Sequence, residues 1–151
     1  ELSHDLMPTW LNEAIATEME GSLNRQYLMR VRNDQVDWMS PGELEGAFEI
    51  DRREAQADQW VNLAYQQSAS IGRWISGSSS LGRRKLGDIA KAFANNSTWT
   101  ELKLRVTGQT HADEALREVL GLGEKELFER VHLAIRNRTL PMPKLSVPQE
   151  S

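Results

Sequence analysis

The sequence predicts an all-α fold, a compact multi-helix bundle of about six to eight helices in a single domain. Three observations carry that expectation. Apolar residues recur at helical spacing through most of the chain, and capping or loop signals set firm helix boundaries at Ser40, Ser80 and Thr110. Strand-like alternation is confined to Leu102–Val106, too short and isolated to find sheet partners. The chain reads as a helical domain over 1–138 followed by a proline-containing tail or linker over 139–151.

Leu11, Ile15, Met19, Leu23, Tyr27 and Val31 step by four residues, reinforced by Trp10, Ala14 and Leu28, so 8–32 is helical, with Gly21-Ser22 the point at which it divides. Ser40-Pro41-Gly42-Glu43 joins a capping serine, a proline at the first helical position and a glutamate placed to bond back, which opens a helix. Asp51-Arg52-Arg53-Glu54 repeats the capping pattern, suggesting a short helix over 41–49 and a long one through Trp60, Val61, Ala64, Ile71, Trp74 and Ile75. The alternative is one unbroken helix with 49–54 on its wet side.

Gly77-Ser78-Ser79-Ser80 ends that element, and Leu86, Ile89, Ala90 and Phe93 form the stripe of the next. Thr98-Trp99-Thr100-Glu101 caps a short helix containing Leu102, and Thr110-His111-Ala112-Asp113 opens another with Leu116, Val119 and Leu120. Gly121-Leu122-Gly123 separates it from a last helix, with Leu127, Phe128, Val131, Ala134 and Ile135 on one face. From Thr139 onward, Pro141, Pro143 and Pro148 predict an extended linker.

The 151 residues are 39% hydrophobic and 26% charged, ordinary for one globular domain, and no apolar run has the length of a membrane span. There is no cysteine, so disulfides and thiolate zinc sites are excluded and a reducing, cytoplasmic setting is expected. Glu1-Leu2-Ser3-His4-Asp5 lacks the basic and apolar stretches of a signal peptide and reads as a boundary within a longer protein. Net charge is −4, unevenly spread: 1–60 hold 13 acidic and 5 basic side chains, and 61–151 hold 9 acidic and 13 basic. Unless the halves interleave in space, that polarity suits an interaction surface at each end.

The basic share centres on 73–105, with Arg83, Arg84, Lys85, Lys91, Lys103 and Arg105 as candidate contacts to phosphates or to an acidic partner. Gly77 to Arg84 has the glycine spacing of a phosphate-cradling loop. Arg83 stands where that motif needs lysine, and Arg84 where it needs a hydroxyl for magnesium, so nucleotide hydrolysis is not expected.

Val119-Leu120-Gly121-Leu122-Gly123-Glu124-Lys125 resembles the hairpin of the helix-hairpin-helix family, over the short stretch from Leu116 to Val131. The resemblance implies DNA-phosphate contact through backbone N–H groups at the turn, making Gly121, Gly123 and Lys125 candidate site residues. It departs from the family pattern at Leu120, where proline is common, and at Leu127, where a small residue is usual. The other reading of these residues is a helix ended by glycine, with Leu122 making the accompanying apolar contact.

Glu129-x-x-His132 and Glu1-x-x-His4 have the spacing of a carboxylate-bridged metal pair but lack facing glutamates, and His111 has no triad partners nearby; no metal, cofactor or catalytic set is expected. Of five tryptophans, Trp10, Trp60 and Trp74 lie on apolar stripes and are expected in the core. Trp38 lies in a loop before Ser40, either as a staple at the helix start or as an anchor for a partner. The function expected is a non-catalytic helical interaction or assembly domain, its partner another protein or other domains of the same protein. The alternative is a nucleic-acid-associated domain using the basic 73–105 region and the turn at 119–125.

Overall fold

The structure is a computed structural model and describes residues 7–21, 23–51, 53–77, 80–95 and 111–141. Over these residues the chain is all-α, with seven helices and no strand. Leu102–Val106 and the short helix expected after Thr98 lie outside the described residues.

Helix α1 (Thr9–Glu20) buries Trp10, Leu11 and Ala14, and ends at Gly21, whose left-handed φ of 69° lets its N–H reach the Thr17 carbonyl at 2.8 Å. Helix α2 (Arg25–Arg32) is capped by Asn24, whose side chain accepts from the Gln26 N–H at 2.7 Å. Ser40 forms the expected reciprocal box with Glu43, at 3.2 and 2.9 Å, and opens α3 (Pro41–Phe48).

The second capping pattern does something else. Asp51 accepts from the Arg53 N–H at 2.9 Å, closing a turn, and α4 (Ala57–Ser76) begins only after Gln56, held in the left-handed region at φ 67°. A side chain that bonds two residues ahead closes a turn as readily as it caps a helix. Gly77 ends α4 in the left-handed region. Helices α5 (Ser80–Asn95), α6 (His111–Leu120) and α7 (Glu124–Arg136) complete the bundle.

Helix α4 is the axle of the fold. Every residue from Gln67 to Arg73 is buried, so it is enclosed on all sides, and its small residues there admit close neighbours. α1 packs on it most extensively, α5, α3 and α7 also touch it, α2 leans on α7, and α6 bridges α5 and α7. A Cβ on Gly72 would collide with the Ala14 carbonyl, and one on Gly82 with that of Ser76, so both crossings require glycine.

Inside the α1–α4 contact lies a buried polar trio: Glu18 accepts from Arg73 Nε at 3.2 Å and from Ser76 Oγ at 2.7 Å. Gln67, fully buried, bonds both the N–H and the carbonyl of Met39, at 3.0 and 2.8 Å, and so pins the loop before α3 to the axle. The start of α1 is held from α3, where Glu45 accepts from the N–H groups of Thr9 and Trp10 at 2.9 and 3.2 Å. No helix among the described residues is long and apolar enough to cross a membrane.

Candidate functional site

The loop joining α2 to α3 is built to present Trp38. Asp34 turns the chain at a positive φ of 58° and ion-pairs with Arg136 of α7 at 2.6 Å, while Gln67 fixes Met39 from below. Between them the half-buried Trp38 ring donates Nε1–H to the Phe128 carbonyl at 3.1 Å and stacks on His132 at 5.1 Å between centroids. Burial and the neighbouring Arg136 charge hold the His132 imidazole below its ordinary pKa, with Asp34 opposing.

The outer side of this loop opens into a groove of about 360 Å³, lined by Trp38, Met39, Ala47 and Ile50 and closed on one side by Trp60. Trp60 is 40% exposed. The sequence stripe placed it in the core. The buried stripe of α4 runs Ala57, Val61, Ala64, Ser68, Ile71 and Ile75, and Trp60 lies about 60° from its centre, on its edge. Farther along α4, Tyr65, 36% exposed, packs edge-on against Phe48 at 5.2 Å. The charged side chains lining the groove, Asp37 and Glu43, are both acidic.

The basic residues divide into separate environments. Arg83, Arg84, Lys85 and Lys91 are exposed on α5, where Arg83, Arg84 and Lys91 share the face around Gly87 and Lys85 faces elsewhere. Arg73 belongs to no surface: it is buried against Glu18, so the stretch beginning there is not one patch. Lys103 and Arg105 lie outside the described residues.

At the α6–α7 turn, Gly121 adopts φ 76° and bonds the Arg117 carbonyl at 3.0 Å, while Leu122 packs against the core. This is the geometry of a glycine helix end with its apolar contact. Gly123 is buried, and a Cβ there would meet the Arg117 guanidinium at 2.7 Å. The Glu124 N–H, one of the amides a hairpin would offer to a phosphate, donates instead to the Asp113 carboxylate at 2.6 Å. Lys125 is exposed beside a cleft that Glu126 and Glu129 also line.

Two acidic groups on or against α1 have raised pKa values. Glu124 accepts from Trp10 Nε1 at 3.0 Å; burial raises its pKa, the Trp10 bond lowers it, and the charges of Asp113 and Glu45 raise it further. Glu13, half-buried on α1, has its pKa raised by burial and by Glu20. Glu129 is exposed while His132 is stacked on Trp38, and among the described residues no group of three or more potential metal ligands comes together. Glu1 and His4 lie outside the described residues.

Compared with known proteins, the chain matches no family model, and no curated protein or solved structure is detectably similar to it.

Proposed function

We propose that this chain is a helical interaction module that holds a partner, another protein or another domain of the same protein, in the groove between the α2–α3 loop and the start of α4. The observation that carries this reading is Trp60: a large aromatic ring left 40% exposed on the lip of an apolar groove whose charged lining is acidic. Tryptophan in such a position is a favoured anchor for association, and the acidic rim favours a partner with basic side chains around an apolar one. Trp38 forms the inner wall and also braces α7, so it is a poor probe of binding alone. The test is affinity capture with matched variants. Trp60→Ala should weaken capture about tenfold with helicity unchanged, and Glu43→Lys should weaken it in a salt-dependent way. Undiminished capture by Trp60→Ala overturns the groove as the site.

A second reading concerns catalysis. Glu1-Leu2-Ser3-His4 has the spacing of the last four positions of the His-Glu-x-x-His zinc helix, in which the glutamate acts as general base. A third ligand in such centres is often a carboxylate, and Glu13 is the first acidic residue among those described, half-buried and with a raised pKa. A longer natural sequence with any residue but histidine before Glu1 overturns this reading. With histidine there, stoichiometric zinc is expected, lost in His4→Ala and Glu13→Gln.

A further inference from the structure

We infer that the pocket between α2 and α7 is a separate binding site, for an acidic peptide segment anchored by one apolar side chain. Its floor is Leu28, Ile135 and Leu140, each no more than 5% exposed. Arg25, Arg32 and Arg138 also line it, without any carboxylate, and none of the three is in an ion pair among the described residues. Three guanidiniums over an apolar floor repel one another until an anion arrives, and a ligand that brings both carboxylates and an apolar group satisfies the two at once.

The dimensions select a peptide. The pocket is about 250 Å³, room for one leucine or phenylalanine side chain and below the roughly 300–1,000 Å³ of small-molecule sites. Arg25 and Arg32 are two helical turns apart on α2, about 10 Å, too far for one compact anion. Two acidic residues four positions apart share one face of an extended segment, about 13 Å apart and within reach of two long guanidinium arms, and the apolar residue midway between them on that face meets the floor.

Arg138 supports the same assignment. It follows the end of α7 in the left-handed region at φ 59°, where its N–H bonds the Ile135 carbonyl at 3.2 Å and the Thr139 N–H bonds that of Ala134 at 2.9 Å. Glycine is the favoured residue at such a position. Arginine there trades backbone ease for a cation at the pocket. The site deepens the interaction reading by supplying a second surface and its partner's chemistry, and it does not depend on Trp60.

The test is fluorescence anisotropy on the full chain with a labelled Gly-Glu-Ala-Leu-Ala-Glu-Gly peptide. Saturable binding is expected, weakened about tenfold by Arg25→Glu or Arg32→Glu and unchanged by Trp60→Ala. Arg138→Gly should weaken it about threefold while the melting temperature rises by roughly 2–4 °C, which separates binding from folding. The inference is overturned by absent binding, by equal binding of Gly-Glu-Ala-Ala-Ala-Glu-Gly, or by an undiminished Arg138→Gly. It is also overturned if decanoate binds with the same arginine dependence and displaces the peptide, which would mark a site for small amphipathic acids. Peptide binding without Trp60-dependent capture overturns the groove alone; the converse overturns this pocket alone.

Discussion

Gly72 of α4 lies against the backbone carbonyl of Ala14 in α1, close enough that no side chain fits between them. Gly72→Ala should therefore separate the two helices and cost about 2–4 kcal/mol in urea unfolding. Gly87→Ala is the control. Nothing stands within 4 Å of a Cβ at Gly87, in the interior of α5, so alanine there should stabilise by about 0.5–1 kcal/mol.

Glu18 and Arg73 are both buried in their ion pair, and Ser76 also donates to Glu18. Glu18→Ala removes the carboxylate from a buried cation and should cost about 3–5 kcal/mol. Replacing both charges, as Glu18→Leu with Arg73→Met, should recover most of that loss. A double variant no more stable than Glu18→Ala would show that the pair contributes more than mutual compensation.

The Ser68 hydroxyl is fully buried on α4 and has no hydrogen-bond partner among the described residues. Ser68→Ala removes a desolvated polar group from a tightly packed position and adds no volume. Thermal unfolding should show a gain of about 0.5–1 kcal/mol.

Two partly buried groups impose opposite pH dependences. The native state disfavours protonated His132, so the unfolded chain takes up that proton first, and stability falls as pH drops from about 6.5 toward the lower native pKa. Glu124 has a raised native pKa, so its native form takes the proton first, and stability rises as pH falls through that value toward about 4.3. Urea midpoints measured from pH 7.5 to 4 should show both limbs, with His132→Gln flattening the upper and Glu124→Gln the lower.

Phosphate contact, the alternative expectation, now rests on the α5 face of Arg83, Arg84 and Lys91. That reading requires duplex DNA binding at low ionic strength, a log K that falls with log salt at a slope of about −2 to −3, and loss of binding in the Arg83→Glu/Arg84→Glu double variant. Undetectable binding, or binding indifferent to the reversal, ends it.

Local chemistry was legible in the sequence, and long-range chemistry was not. The Ser40 box, the left-handed ends at Gly21, Gly77 and Gly121, and the buried face of α7 are each decided within a few residues of themselves. Asp51 misled because a turn and a cap use the same short-range bond. Arg73 looked like the start of a basic patch because the carboxylate that buries it stands 55 residues earlier. Trp60 looked like core because its neighbours Val61 and Ala64 are, and only the rotation of α4 against its partners exposes it. The pocket at Arg25, Arg32 and Arg138 joins residues more than 100 positions apart, and no periodicity connects them.

The pairing of α1 with α4 also decides how divisible the domain is. The first described helix is seated on the innermost one, through Ala14 against Gly72 and Glu18 against Arg73, with more than 50 residues of chain between them. Trimming the chain at Gly21 would strip the enclosed helix of its main cover. Neither piece then holds a closed core, so the bundle should fold and unfold as one indivisible unit. Its formation must wait for a contact that spans most of three helices, which makes all-or-none assembly the expected behaviour.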